Sequence, residues 1–146
     1  MTSAAQSSLT DLRGRRQRLS VPLTTLGALG AATAALRLRD PHESGSWGYC
    51  PSYLLFGVYC PGCGGLRAVN DLTHGDLIGA ASSNLLFVLA LPLIAWVFGV
   101  WLWSAWTGRP ARWTWWNTRA FRMTSLTAIV VFTVLRNLSI GSWLAP

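Results

Sequence analysis

Residues 77–108 read LIGAASSNLLFVLALPLIAWVFGVWLWSAWTG, a run of 32 positions without a charged side chain. A helix needs about 20 apolar residues to cross the hydrocarbon of a bilayer, so this run suffices with turns to spare. Its neighbours are shorter. Residues 19–36 give 18 uncharged positions, near the floor of about 17, and residues 123–135 give 13 before Arg136. The third run reaches spanning length only if its helix continues past Arg136 to about Ile140, with the guanidinium snorkelling to the interface or meeting a partner. With 51% hydrophobic residues, 12% charged residues and nine Trp, the chain is too apolar for a wet surface over 146 residues. The reading is an all-α, small polytopic membrane protein. It has about three spans (19–36, 83–106 and 120–140) and an extracytoplasmic cysteine loop (37–76) carrying a short helix. Residues 1–18 are expected as a disordered basic N-terminus, and 19–146 as one membrane domain.

Arginine placement sets the orientation, because short cytoplasmic loops collect positive charge. Arg13, Arg15, Arg16 and Arg18 precede the first run, while Arg109, Arg112, Arg119 and Arg122 separate the second from the third. The loop between the first two runs carries Arg37, Arg39 and Arg67 against Asp40, Glu43, Asp71 and Asp76, one net negative charge. The N-terminus is therefore expected inside, and the cysteine loop and C-terminus outside. A rival reading takes the basic stretch and its apolar run, ending in small residues 31–35, as a cleaved secretory signal; it too leaves the loop outside. Trp101, Trp103, Trp106, Trp113, Trp115 and Trp116 sit where an interfacial aromatic belt is expected. The formal charge of +7 comes from arginines that orient the chain and attract anionic lipid, so the expected partner is the lipid bilayer and no nucleic acid is expected. Another membrane protein is the remaining candidate partner.

Within the loop, Cys60-Pro61-Gly62-Cys63-Gly64-Gly65-Leu66-Arg67-Ala68 places two thiols three residues apart in a glycine-rich turn. Leu66, Val69 and Leu72 at three-residue spacing predict a short half-buried helix over 66–74, with Gly75 ending it and Asp76 capping the next. Asp76, Ala80 and Asn84 then share one face of that next helix.

The thiols admit three chemistries. A disulfide would staple a loop with little core of its own, as Cys60 with Cys63 or Cys50 with either. Cys50, Cys60, Cys63 and His74 would make a Cys3His zinc set, although their spacing fits no standard finger or ribbon. A redox pair is the third, but the β-α-β context of thioredoxin-like enzymes is missing. Nothing matches a catalytic triad, an HExxH zinc motif or a phosphate-binding glycine loop, so no catalytic residue is assigned. Arg136 is expected to be held by the carboxylate of Asp76 or Asp71, or by helix-end carbonyls of the cysteine loop.

Taken with Leu72, Gly75-Asp76, Ala80, Asn84, Arg136-Asn137 and the ending Trp143-Leu144-Ala145-Pro146, this pattern resembles a family of small bacterial integral membrane proteins of unknown function. Their signature is Cys-Pro-x-Cys-Gly-x-Thr-Arg-Ala. The resemblance covers about residues 38–146 and marks Cys60, Pro61, Cys63, Gly64, Arg67, Asp76, Asn84, Arg136 and Asn137 as motif positions. Leu66 stands where the family has Thr, so no role of that hydroxyl carries over. The family implies a membrane protein without an established reaction. The expected function is an accessory or interaction protein with a stapled cysteine loop, the alternative a thiol-redox or metal-dependent membrane enzyme using Cys60 and Cys63.

Overall fold

The computed structural model describes residues 2–43, 45–48, 50–111 and 118–145. They form helices α1 (Thr2–Leu38), α2 (Pro51–Phe56), α3 (Gly65–Thr73), α4 (Leu77–Thr107) and α5 (Arg119–Arg136), then a 3₁₀ helix, Ser139–Leu144. No strand occurs among the described residues, so the fold is all-α. Two segments, Gly14–Leu38 and Leu77–Thr107, are long and apolar enough to cross a membrane. In the most apolar window of the second, none of the residues is buried within the protein. The core helix of a soluble protein would have its apolar face covered by its own chain, whereas in this one that face is left uncovered.

Helix α1 starts well before Leu19 and takes in the stretch expected as a disordered extension. It ends at Leu38, just ahead of the Asp40-Pro41 pair, where proline and its restrictive effect on the preceding residue end a helix. Helix α4 is 31 residues long, about 46 Å at 1.5 Å per residue, against a hydrocarbon thickness of about 30 Å. Near its start the helix is interrupted at Asn84 by an extended backbone (φ −160°, ψ 91°). Helix α5 differs from expectation. It stops at Arg136 instead of running on to Ile140, because Asn137 takes up its C-terminal carbonyls and the chain tightens into the 3₁₀ turn. With three arginines in 18 residues, α5 falls outside the segments apolar enough to span.

Contacts group the chain into two units, residues 1–31 with 92–112 and residues 32–91 with 113–146. In the first, the Arg18 Nε donates to the Ala105 carbonyl at 3.4 Å, near the last turn of α4. The Arg15 guanidinium lies 5.2 Å from the Trp106 ring centroid. Trp103 and Trp106 are exposed, as an interfacial belt requires; Trp113, Trp115 and Trp116 lie outside the described residues.

The second unit holds the motif residues. Helix α3 buries Ala68, Asn70 and Asp71, while Leu66 is exposed and Val69 and Leu72 are half-buried. Its inward face is therefore polar, contrary to the apolar face predicted from the leucine spacing. The Asn70 amide donates to the Leu36 carbonyl at 2.7 Å, Arg37 donates to the Thr73 carbonyl, and the Ser83 hydroxyl donates to Asp71 at 2.8 Å. The first two satisfy helix-end carbonyls of α1 and α3, and the third satisfies a buried carboxylate. Helix α3 closes as expected, in a Schellman turn: Asp76 N–H donates to the Asp71 carbonyl and Gly75 N–H to that of Leu72, with Gly75 at φ +80°. The Asp76 carboxylate then accepts the Gly79 N–H at 2.8 Å, capping α4.

Candidate functional site

The site is built on the backbone of residues 59–64. Cys63 N–H donates to the Cys60 carbonyl at 3.1 Å and Gly65 N–H to that of Gly62 at 3.0 Å, making two successive tight turns. Gly64, at φ +78°, then launches α3 from the left-handed region that a side chain disfavours. The carbonyls of Tyr59, Cys60, Pro61 and Cys63 also accept from side chains far along the chain.

Three residues do this work. The Asn84 amide donates to the Pro61 carbonyl at 2.9 Å and to the Cys63 carbonyl at 3.0 Å. Its oxygen accepts the Phe87 N–H at 2.9 Å, so the same side chain caps the part of α4 that resumes after the interruption. Arg136, only 1% exposed, donates to the Cys60 carbonyl at 2.9 Å and, through both terminal nitrogens, to the Cys63 carbonyl at 3.1 Å. Its guanidinium sits 4.9 Å from the Phe132 ring centroid and 5.8 Å from that of Tyr59. Asn137 pairs with the backbone of Tyr59 in both directions, at 2.8 and 2.9 Å, as a neighbouring strand would.

Arg136 is thus held by loop carbonyls and not by an aspartate. Asp71 accepts from Ser83 and faces the His42 ring at 3.4 Å, and Asp76 is occupied as a cap. Among the described residues no carboxylate pairs with Arg136, whose Nε is buried without a hydrogen-bond partner. A buried cation compensated only by carbonyl dipoles favours negative charge nearby.

The nearest groups able to carry that charge are thiols. The sulfurs of Cys50, Cys60 and Cys63 lie within 4.8 Å of one another, with Cys50 to Cys60 at 3.4 Å and Cys60 to Cys63 at 3.2 Å. A disulfide needs about 2.05 Å, and all three cysteines are free here. The Ser52 hydroxyl, 3.0 Å from the Cys50 sulfur, together with the other two thiols draws the Cys50 pKa down to about 6, while burial pushes Cys63 up to about 12.

Sequence and structure part company over His74. Its ring nitrogen contacts the Asn70 carbonyl at 2.9 Å at the end of α3, outside the thiol group, so the donor set is three sulfurs and not Cys3His. Cys50 does join, although it precedes Cys60 by ten residues: Pro51 starts α2 and makes Cys50 its N-terminal boundary, turning it back toward the loop. Arg67 donates to the Pro41 carbonyl at 3.3 Å and so holds the start of the loop against α3. Sequence reasoning missed Ser52 and the stacked pair Tyr53 and Tyr59, with centroids 4.6 Å apart. The Pro-Ser after Cys50 was the available signal for the first. The thiols open onto a pocket of about 420 Å³ whose wall includes Trp47, Tyr53, Tyr59, Leu66 and Arg67.

Residues 50–98 match the family described as a protein of unknown function, DUF2752. That segment carries all three cysteines and Asn84, and stops short of Arg136 and Asn137. No curated protein and no solved structure matches the chain.

What the arrangement can do follows from its division of labour. Backbone carbonyls are committed to holding the loop, which leaves three soft donors convergent, Cys50 and Cys60 half-buried and Cys63 buried. Such a set suits thiophilic ions, with zinc to sulfur bonds of about 2.3 Å and tetrahedral sulfur separations of about 3.8 Å, so modest side-chain rotations bring the three into place.

Proposed function

We propose that this is a multi-pass protein of the bacterial cytoplasmic membrane whose outward-facing loop binds a thiophilic metal ion, zinc(II) foremost, through Cys50, Cys60 and Cys63. The observation that carries the reading is the convergence of three free sulfurs in a loop already pinned by Asn84, Arg136 and Asn137. A disulfide staple, the role expected of the cysteines, is redundant in such a loop. The arginine distribution supports the orientation, and reporter fusions after Gly65, Gly108 and Pro146 are expected to read outside, inside and outside.

The full chain, purified in detergent under reducing conditions, is expected to retain one zinc per chain against a weak chelator. Cys60→Ser combined with Cys63→Ser abolishes this. A thiol-redox pair is the second reading, favoured by the 3.2 Å between Cys60 and Cys63. Alkylation in native membranes separates the two. Thiols unmasked by chelator support the metal, thiols unmasked only by reductant support the redox pair, and three thiols that alkylate freely overturn both. An accessory role, with the metal-bearing loop meeting another membrane protein, is compatible with the first reading and is tested by what co-purifies with the wild type and not with the double variant.

A further inference from the structure

Three sulfurs are one ligand short of a closed zinc site, and the surroundings say where a fourth can come from. Structural zinc is almost always held by four protein ligands, whereas sites with three keep a position for an exchangeable group. Among the described residues, no His, Asp or Glu joins the thiols. The carbonyls of Cys60, Pro61 and Cys63 are taken by Asn84 and Arg136. What remains is the pocket of about 420 Å³, which Cys50, Cys60 and Cys63 all help to line.

Resting on the metal-binding reading above, we infer that the ion keeps an open coordination position facing this pocket and accepts there the sulfur of an apolar thiol supplied from outside the chain. Two features of the wall define the class of ligand. Trp47, Tyr53, Tyr59 and Leu66 offer aromatic and aliphatic surface for an apolar body, in a volume suited to a small molecule or a single side chain. Soft sulfur is the donor that matches an ion already bound to thiolates.

Charge agrees with this. Three thiolates and a divalent ion leave one negative charge, which the buried Arg136 balances. An incoming thiolate adds another, and Arg67, whose Nε the Pro41 carbonyl holds, is the cation among the pocket's lining residues. In the exchange, the thiol releases its proton to solvent, one metal–sulfur bond forms and the bond to a metal-bound water breaks; no electron is transferred.

Cobalt(II), which reports its coordination through visible and near-ultraviolet absorption, tests the proposal in the full chain in detergent, with benzyl mercaptan as the probe. The cobalt-loaded wild type is expected to show a saturable change at one probe per ion, with stronger thiolate-to-metal absorption and shifted visible bands. Leu66→Trp, which fills a pocket wall, and Arg67→Gln, which removes this cation, are each expected to weaken probe binding about tenfold while leaving cobalt affinity within about twofold. A cobalt spectrum indifferent to the probe, or stripping of the ion by it, overturns the open position. Undiminished probe affinity in both variants overturns the pocket as its location. Failure of the wild type to bind cobalt more tightly than Cys60→Ser with Cys63→Ser overturns the underlying metal reading instead.

Discussion

Arg18 and Arg136 carry the same guanidinium in opposite circumstances. Arg18 is exposed on α1 and reaches one carbonyl, that of Ala105, at 3.4 Å. Arg136 is 1% exposed and makes three hydrogen bonds of 2.9–3.1 Å to two carbonyls of the cysteine loop. An exposed arginine among several others acts through its sign: it biases orientation and attracts anionic lipid, and its individual contact contributes little. A buried one acts through geometry, because its own donors have no water to turn to and the carbonyls it serves each gain a second hydrogen bond from it. The comparison teaches that the many arginines counted for topology and the single arginine at the site are different kinds of residue, although composition treats them alike.

The sharpest way to break this contrast is to truncate both. Arg136→Ala removes three buried hydrogen bonds to the Cys60 and Cys63 carbonyls and empties the space of a buried guanidinium, and is expected to cost about 3 kcal/mol, read as a lowered unfolding midpoint in detergent, with Arg136→Lys recovering part of the loss. Arg18→Ala is expected to stay within about 0.5 kcal/mol of the wild type. Equal losses would mean that the buried hydrogen bonds contribute no more than surface attraction.

Asn84 refines the picture, since one amide both donates to the loop and caps α4. Asn84→Ala is expected to cost about 2 kcal/mol. Asn84→Asp keeps an acceptor for the Phe87 N–H but turns a second oxygen toward the Pro61 and Cys63 carbonyls. It is expected to be no more stable than the alanine variant. Recovery of full stability by Asp would show that only the cap matters and that the loop holds itself.

Asp76 should give the smallest effect. Asp76→Ala removes one exposed cap from α4, a loss of about 1 kcal/mol, and combining it with Arg136→Ala is expected to be additive within about 0.5 kcal/mol because the two side chains do not touch. Significant coupling in that double-mutant cycle would restore the aspartate as the arginine's partner.

Much of the architecture was legible residue by residue. The uncharged run at 77–108, the stop before Pro41, the turn at Gly75 and the cap at Asp76 are local matters, each decided by the length of a run or by bonds spanning five residues or fewer. The motif also included Asn84, Arg136 and Asn137, the side chains that grip the cysteine loop. It was silent about what they hold. Whether Arg136 meets a carboxylate or a carbonyl depends on a bond between residues 76 positions apart in the chain, and the Asn84 bonds to the loop reach across 21 and 23. His74 left the expected donor set for the same reason, while Cys50 stayed in it. By itself the sequence determined the all-helical class, the long apolar run of α4, the stop of α1 before Pro41 and the turn and cap at Gly75 and Asp76, since charge, run length and turn chemistry act over a few residues. Only the tertiary structure decided which backbone groups the buried polar side chains satisfy and which three thiols share one space, because those outcomes rest on long-range packing that no local pattern encodes.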